Sequence, residues 1–155
     1  MDEKQQKKFM RVAIKQALKA KELDEVPIGA VIVIDGKIVA KAHNLMEKTQ
    51  IATAHAEILA INKACKKLKS WRLDNAEMFI TIEPCAMCAG AIANARIKKV
   101  YFGAYESKSG CAVSKYPVLK DNGLNHATEF VGGIEQEECA SLIKNYFKAK
   151  RIKKA

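Results

Sequence analysis

Apolar residues recur at helical spacing near the start of the chain. Phe9, Met10, Ala13, Ile14, Ala17 and Leu18 share one face and predict a helix over about residues 4–22. Pro27 and Gly29 open an unbroken apolar run, Ile28 to Ile34, of strand length. Asp35-Gly36 is a strong two-residue hairpin signal, and Lys37 to Ala42 return as a second strand. Helical spacing resumes near His55, with Ile58, Ile61, Cys65 and Leu68 on one face. Met78 to Ile82 reads as a buried strand that stops at Glu83-Pro84. The residue before a proline is pushed to extended geometry, while proline is welcome at a helix start. The spacing therefore predicts a strand-to-helix switch, with a helix from about Cys85 to Ala95. Val100 to Gly103 is another strand, Thr128 to Val131 a candidate fifth, and Glu135 to Lys150 a closing helix with Cys139, Leu142, Ile143, Tyr146 and Phe147 inward. Strands alternating with helices imply an α/β layered domain, its central sheet covered on both faces.

The 155 residues suit one domain, and no repeat, low-complexity tract or linker divides them. Met1 to Lys8 is too polar for a signal peptide, and apolar stretches such as Ala86 to Ala93 are too short to span a bilayer. A soluble cytoplasmic protein is expected. Five cysteines, an odd number, argue against a disulfide framework. Of these, Cys65, Cys111 and Cys139 read as packing residues, whereas Cys85 and Cys88 sit close enough for a joint role.

Charge changes the picture more. The formal net charge is +10, and such an excess draws polyanions. Lys144, Lys148, Lys150, Arg151, Lys153 and Lys154 crowd the C-terminal end around Tyr146 and Phe147. Cations interleaved with aromatics suit phosphates and unstacked bases together. The plainer reading is a solvated, lysine-rich surface.

Two fragments carry chemistry: His55-Ala56-Glu57 and Pro84-Cys85-Ala86-Met87-Cys88, each at a predicted helix start. Residues three apart on a helix face the same way, and a helix N-terminus favours thiolates over thiols. Two thiolates and a neutral imidazole are a ligand set that zinc prefers. Three protein ligands leave a fourth position for water, the mark of a catalytic rather than a structural zinc. Glu57, two residues from His55, is the candidate general acid and base. Taken singly, a Cys-x-x-Cys pair is often plain core, and a lone histidine before an apolar helix is usually structural. Together they match His-x-Glu followed by Pro-Cys-x-x-Cys, the signature of zinc deaminases.

The surrounding residues extend the likeness. Val26-Pro27-Ile28-Gly29-Ala30-Val31, Ala42-His43-Asn44, Ala54-His55-Ala56-Glu57, Ser70-Trp71-Arg72-Leu73, Glu83 to Ile92, Phe102-Gly103-Ala104 and Asn125-His126 resemble the bacterial tRNA-specific adenosine deaminases. The metal fragments alone would fit cytidine, guanine or riboflavin-pathway deaminases equally well. The resemblance implies a three-layer α/β/α cytidine-deaminase-like fold with a mixed five-stranded sheet. It implies one zinc-dependent deaminase domain of the CMP/dCMP type over residues 1–155, with a basic C-terminal helix at about 135–154. By the same likeness the reaction is hydrolysis of the wobble adenosine of a tRNA anticodon to inosine. One Zn2+ per subunit is held by His55, Cys85 and Cys88, and Glu57 moves the protons. Asn44 bonds the base, the backbone amide of Ala56 and the region of Pro84 line the pocket, and Tyr146, Phe147 and Arg151 hold the anticodon loop. A homodimer acting without a membrane is implied as well.

The chain departs from that pattern at Glu106, where aspartate is common, across Ala112 to Leu119, and at Tyr146, where phenylalanine is frequent. Two rivals follow: a deaminase of free guanine, adenosine or cytosine, and a zinc-stabilised RNA-binding module without catalysis.

Overall fold

An Asp2 capping box starts the first helix, α1 (Glu3–Glu22): the Asp2 carboxylate accepts from the Gln5 amide, and the Gln5 side chain accepts in return from the Asp2 amide. In the computed structural model, which describes residues 1–154, α1 buries Phe9, Met10, Ala13, Ile14, Ala17 and Ala20. Leu18, placed on that face by spacing, is exposed instead. Strands β1 (Gly29–Ile34) and β2 (Lys37–His43) form the expected hairpin, turned at Asp35 and Gly36, both with positive φ (50° and 74°). A short helix that spacing did not predict, α2 (Met46–Thr49), leads to α3 (Ala56–Leu68).

The buried stripe of α3 differs from the expected one. It is Ala56, Glu57, Ala60, Ile61 and Ala64, whereas Leu68 is exposed and Cys65 only partly covered. Small side chains let the helix lie close to β1 and β2, and they carry Glu57 inward with them.

Strand β3 (Ala76–Ile82) is followed by α4 (Ala86–Asn94), β4 (Lys99–Ala104), β5 (Glu129–Val131) and α5 (Gln136–Lys154). The sheet order is β2-β1-β3-β4-β5, with β1 antiparallel to both neighbours and β3, β4 and β5 mutually parallel. Helices α1 and α5 pack together and against the sheet, while α3 lies on β1 and β2 and touches α4. This is the mixed five-stranded α/β sheet with helical layers that the resemblance implies. All five cysteines are free thiols, with Cys111 and Cys139 buried. No helix among the described residues is long and apolar enough to cross a membrane.

The α1–β1 contact is tight at one glycine. A Cβ on Gly29 would lie 2.0 Å from the Ala13 carbonyl oxygen and 2.7 Å from the Ala17 nitrogen. Both are backbone atoms of a packed helix and cannot yield cheaply. Gly29→Ala is therefore expected to destabilise the fold by about 3 kcal/mol, the upper range for overpacking. Thermal melting checks this, and an unchanged midpoint would show that α1 can shift outward.

Candidate metal centre

Both chemistry-bearing fragments sit at helix N-caps. His55 caps α3 and Cys85 caps α4, each with extended backbone, and neither side chain makes a capping hydrogen bond. This corrects the expected helix start at Cys85 by one residue, with Pro84 just outside the helix. A cap side chain left free projects off the helix end, and here the two ends face each other. His55 Nδ1 lies 3.8 Å from Cys85 Sγ and 3.6 Å from Cys88 Sγ. The three donor atoms all fall within 4.8 Å of one another.

That spacing fits a metal. Tetrahedral zinc with Zn–N of about 2.0–2.1 Å and Zn–S of about 2.3 Å holds nitrogen and sulfur about 3.6 Å apart. Protonation in the three-residue cluster points the same way. The hydrogen bond from Cys88 and the partly charged His55 ring hold the Cys85 thiol down at about 4. Cys88 is driven upward by that same bond and by burial, so of the two sulfurs Cys85 is the readier thiolate. The bond to Cys85 raises His55 above the ordinary imidazole value. A divalent cation held by these three groups would displace thiol protons and favour both sulfurs as thiolates.

Glu57 is the second residue of α3 and is buried; its Oε1 has no hydrogen-bond partner among the described residues. Burial raises its carboxyl above the usual range. Buried polar atoms are almost always paired, so an orphaned carboxylate oxygen in a cleft marks a place where something else binds.

These groups open into a pocket of about 170 Å³ whose walls include His55, Glu57, Cys85, Val26, Ile28 and Phe147. Two grooves flank it. One, of about 550 Å³, is bordered by Asn44, Glu25, Val26, Tyr146 and Phe147; the other, of about 510 Å³, by Glu106, Lys108, Lys144, Phe147 and Arg151. Phe147 borders all three spaces and is 44% exposed, so its expected inward packing is not found. Tyr146 donates to the Asp24 carbonyl at 3.0 Å, and Lys150 pairs with the Asp24 carboxylate at 2.6 Å. Helix α5 is thereby pinned to the turn after α1.

Asn44 is buried at the end of β2. Its Oδ1 accepts from the Met46 amide at 3.2 Å, and its Nδ2 makes a long 3.4 Å bond to the Val26 carbonyl. It therefore lies in the flanking groove, one residue removed from the metal pocket through Val26. Ala56 and Pro84 are buried and do not themselves border that pocket, but the region of Pro84 does, through Glu83 and Cys85; the Pro84 carbonyl accepts from the Cys111 amide at 2.7 Å.

Two buried carboxylates escaped the sequence reading. Glu25 accepts from the Glu47 and Lys48 amides at 3.0 and 2.7 Å, anchoring the segment that carries Asn44. Glu83 accepts from the segment after β4. Burial disfavours its charge, but bonds from Ser114, Val113 and Glu106 prevail and hold its carboxyl below the usual value. The only sequence signal for either is an acid at the border of an apolar run.

Paired helix caps presenting an imidazole, two sulfurs and a carboxylate over this mixed sheet place the molecule among the deaminases. The chain belongs to the MafB19-like deaminase family, whose profile matches residues 4–151. Within that class it belongs to the tRNA-specific adenosine deaminases. It is 49% identical over 146 residues to the tRNA-specific adenosine deaminase of Bacillus subtilis (strain 168), covering 94% of this chain and 91% of that one. A solved structure from studies of A-to-I editing by tRNA:A34 deaminases at the wobble position of transfer RNA superposes with a TM-score of 0.84. The two are 41% identical, over 86% of this chain and 97% of the other. A guanine deaminase from Bacillus subtilis matches at a TM-score of 0.61 and 41% identity, over 63% of each chain.

Proposed function

We propose that this protein is a hydrolase that converts adenosine to inosine at the wobble position of a tRNA anticodon, using one zinc ion per subunit. The reading treats residues 1–155 as one deaminase unit. The observation that carries it is the unpartnered, buried Glu57 oxygen beside three metal-competent donors, in a chain half identical to a tRNA-specific adenosine deaminase.

His55, Cys85 and Cys88 would hold the ion, which lowers the pKa of water from roughly 15.7 to about 7. Every other duty falls to the chain. Glu57 takes a proton from the attacking water and delivers it to N1 of the purine, so that C6 accepts the oxygen. It then takes the remaining proton from the C6 hydroxyl and passes it to the departing amine, so that the C6 carbonyl forms and ammonia leaves. Burial raises its carboxyl above the usual range, the direction expected of a carboxylate that must also give a proton back. Asn44 recognises the base: a buried amide whose present bond to Val26 is long can exchange it for a ring partner.

The base leaves the loop to enter so small a pocket, which a single-stranded anticodon permits without opening a duplex. Phe147 offers a stacking face at the rim, with Tyr146 and Arg151 in the flanking grooves. The net charge of +10 supports a phosphate-bearing substrate. A cytoplasmic homodimer completes the reading. An apolar recess of about 340 Å³ beside Cys85, bordered by Met87, Cys111 and Tyr116, offers surface for subunit contact.

The test is substrate choice. Incubation with anticodon stem-loops, and separately with free adenosine, guanine and cytosine, is expected to give inosine in RNA. Binding should weaken with salt on a logarithmic slope of about −0.7 per phosphate contacted. Turnover of a free base alone would instead favour the activity named for the guanine deaminase neighbour.

A further inference from the structure

We propose that Glu83 is a positioning residue whose carboxylate holds segment 106–114 folded as the outer wall of the metal pocket, and thereby sets the affinity for substrate. The affinity part rests on the deaminase reading; the holding of the segment does not.

Residues 105–128 join β4 to β5 without helix or strand. Apolar periodicity cannot position such a stretch, so something else must. Glu83 lies at the end of β3, two residues before Cys85, and is 2% exposed. Its Oε1 accepts from the Glu106 amide at 3.0 Å and from the Ser114 hydroxyl. Its Oε2 accepts from the amides of Ala112, Val113 and Ser114 at 3.1, 2.7 and 2.8 Å. Five donors on a group with about four lone-pair sites leave no acceptor capacity for a substrate. Although it borders the pocket, Glu83 is committed to the chain. Glu57 shows the opposite state, with an oxygen left unpaired.

What it holds is the wall itself. Glu106 and Ser109 line the metal pocket, and with Lys108 they line the groove that reaches Arg151. The neighbouring backbone is tied the same way, the Cys111 amide donating to the Pro84 carbonyl at 2.7 Å. Metal ligand and wall thus share one anchor. The segment also approaches closely: a Cβ on Gly110 would lie 2.4 Å from the Glu83 carboxyl carbon and 2.5 Å from the Glu106 carbonyl oxygen. Only a glycine lets the turn close over the carboxylate.

Three variants reach this contact from different sides. Glu83→Gln presents donors where one oxygen accepted. Gly110→Ala wedges the segment off without changing the carboxylate, and Ser114→Ala removes one of the five bonds. Charge-assisted bonds of this kind are strong. For Glu83→Gln and Gly110→Ala we expect faster amide exchange confined to residues 106–114 and full metal content. KM for an anticodon stem-loop should rise about tenfold, while kcat changes less than about threefold, because binding rather than chemistry is lost. Ser114→Ala should fall between these and the parent protein.

Amide exchange needs no substrate, so it decides the clamp even if RNA proves not to be deaminated; an inactive parent protein would count against the deaminase reading alone. Parent-like protection of 106–114 in both Glu83→Gln and Gly110→Ala would overturn the proposal. So would a kcat collapse at unchanged KM with metal retained, which would make Glu83 part of the chemistry.

Discussion

Glutamine in place of Glu57 is expected to cut deamination about a thousandfold or more while the metal content stays the same. General acid–base catalysis by a placed side chain contributes roughly 10²–10⁴ in rate, and here one carboxylate is asked to move every proton. The amide has nearly the same shape, so the pocket and the three donor atoms keep their places. What it cannot do is carry a proton from water to ring nitrogen and then to the leaving amine. Stability should move the other way, or not at all. Burying a charged group with an unpaired oxygen is costly, and the neutral amide relieves that cost. Kinetics on an anticodon stem-loop, metal analysis and thermal melting together check the prediction. Parent-like turnover in Glu57→Gln would remove the residue from its role; loss of metal would recast it as a support for His55.

Cys88→Ala is the second large effect. Cys88 lies fully buried on the first turn of α4, 3.6 Å from His55 Nδ1, and supplies one of three donors. Its loss should lower zinc affinity more than the roughly 10–100-fold that follows from losing a mere supporting contact. Each hundredfold in affinity corresponds to about 2.7 kcal/mol of folded-state stabilisation at saturating metal. For a chain of this size that lowers the melting temperature by about 5–10 °C. A chelator supplies the control. The parent protein treated with chelator should melt near the variant, because both have lost the same ion. A variant that melts low while the chelated parent does not would assign the effect to the small cavity left by the sulfur.

Much of this arrangement was legible before any coordinates, for identifiable reasons. The strand from Met78 to Ile82 announces itself because a central strand covered on both faces is apolar on both. Asp35-Gly36 announces the hairpin because its turn demands positive φ. His55, Cys85 and Cys88 stand out because few residue types bind zinc, and their spacing places them at helix starts.

The rest was hidden for physical reasons as well. Helix α2 is too short to show a period. The buried stripe of α3 is mostly alanine, which carries weak hydrophobic signal, and this concealed how Glu57 reaches the interior. Phe147 follows Ile143 at helical spacing and so reads as core. Beyond Tyr146, however, α5 outruns the packed layers and is tethered through Asp24 instead. Glu83 reads as an acid before a proline. Its donors lie 23 to 31 residues further on, in a segment with no pattern of its own. A carboxylate defined by distant backbone amides has no local signature. Strand order and direction were equally out of reach, since apolar spacing does not say which neighbour a strand will pair with.

Everything proposed for the chemistry depends on an ion held by one nitrogen and two sulfurs with a further position left open. X-ray absorption at the zinc edge of the metal-loaded protein in reducing buffer counts those ligands directly. The account predicts two sulfur scatterers at about 2.3 Å and two nitrogen or oxygen scatterers at about 2.0–2.2 Å, one from His55 and one from solvent. A shell without sulfur, or one closed by three or four sulfurs, would contradict it.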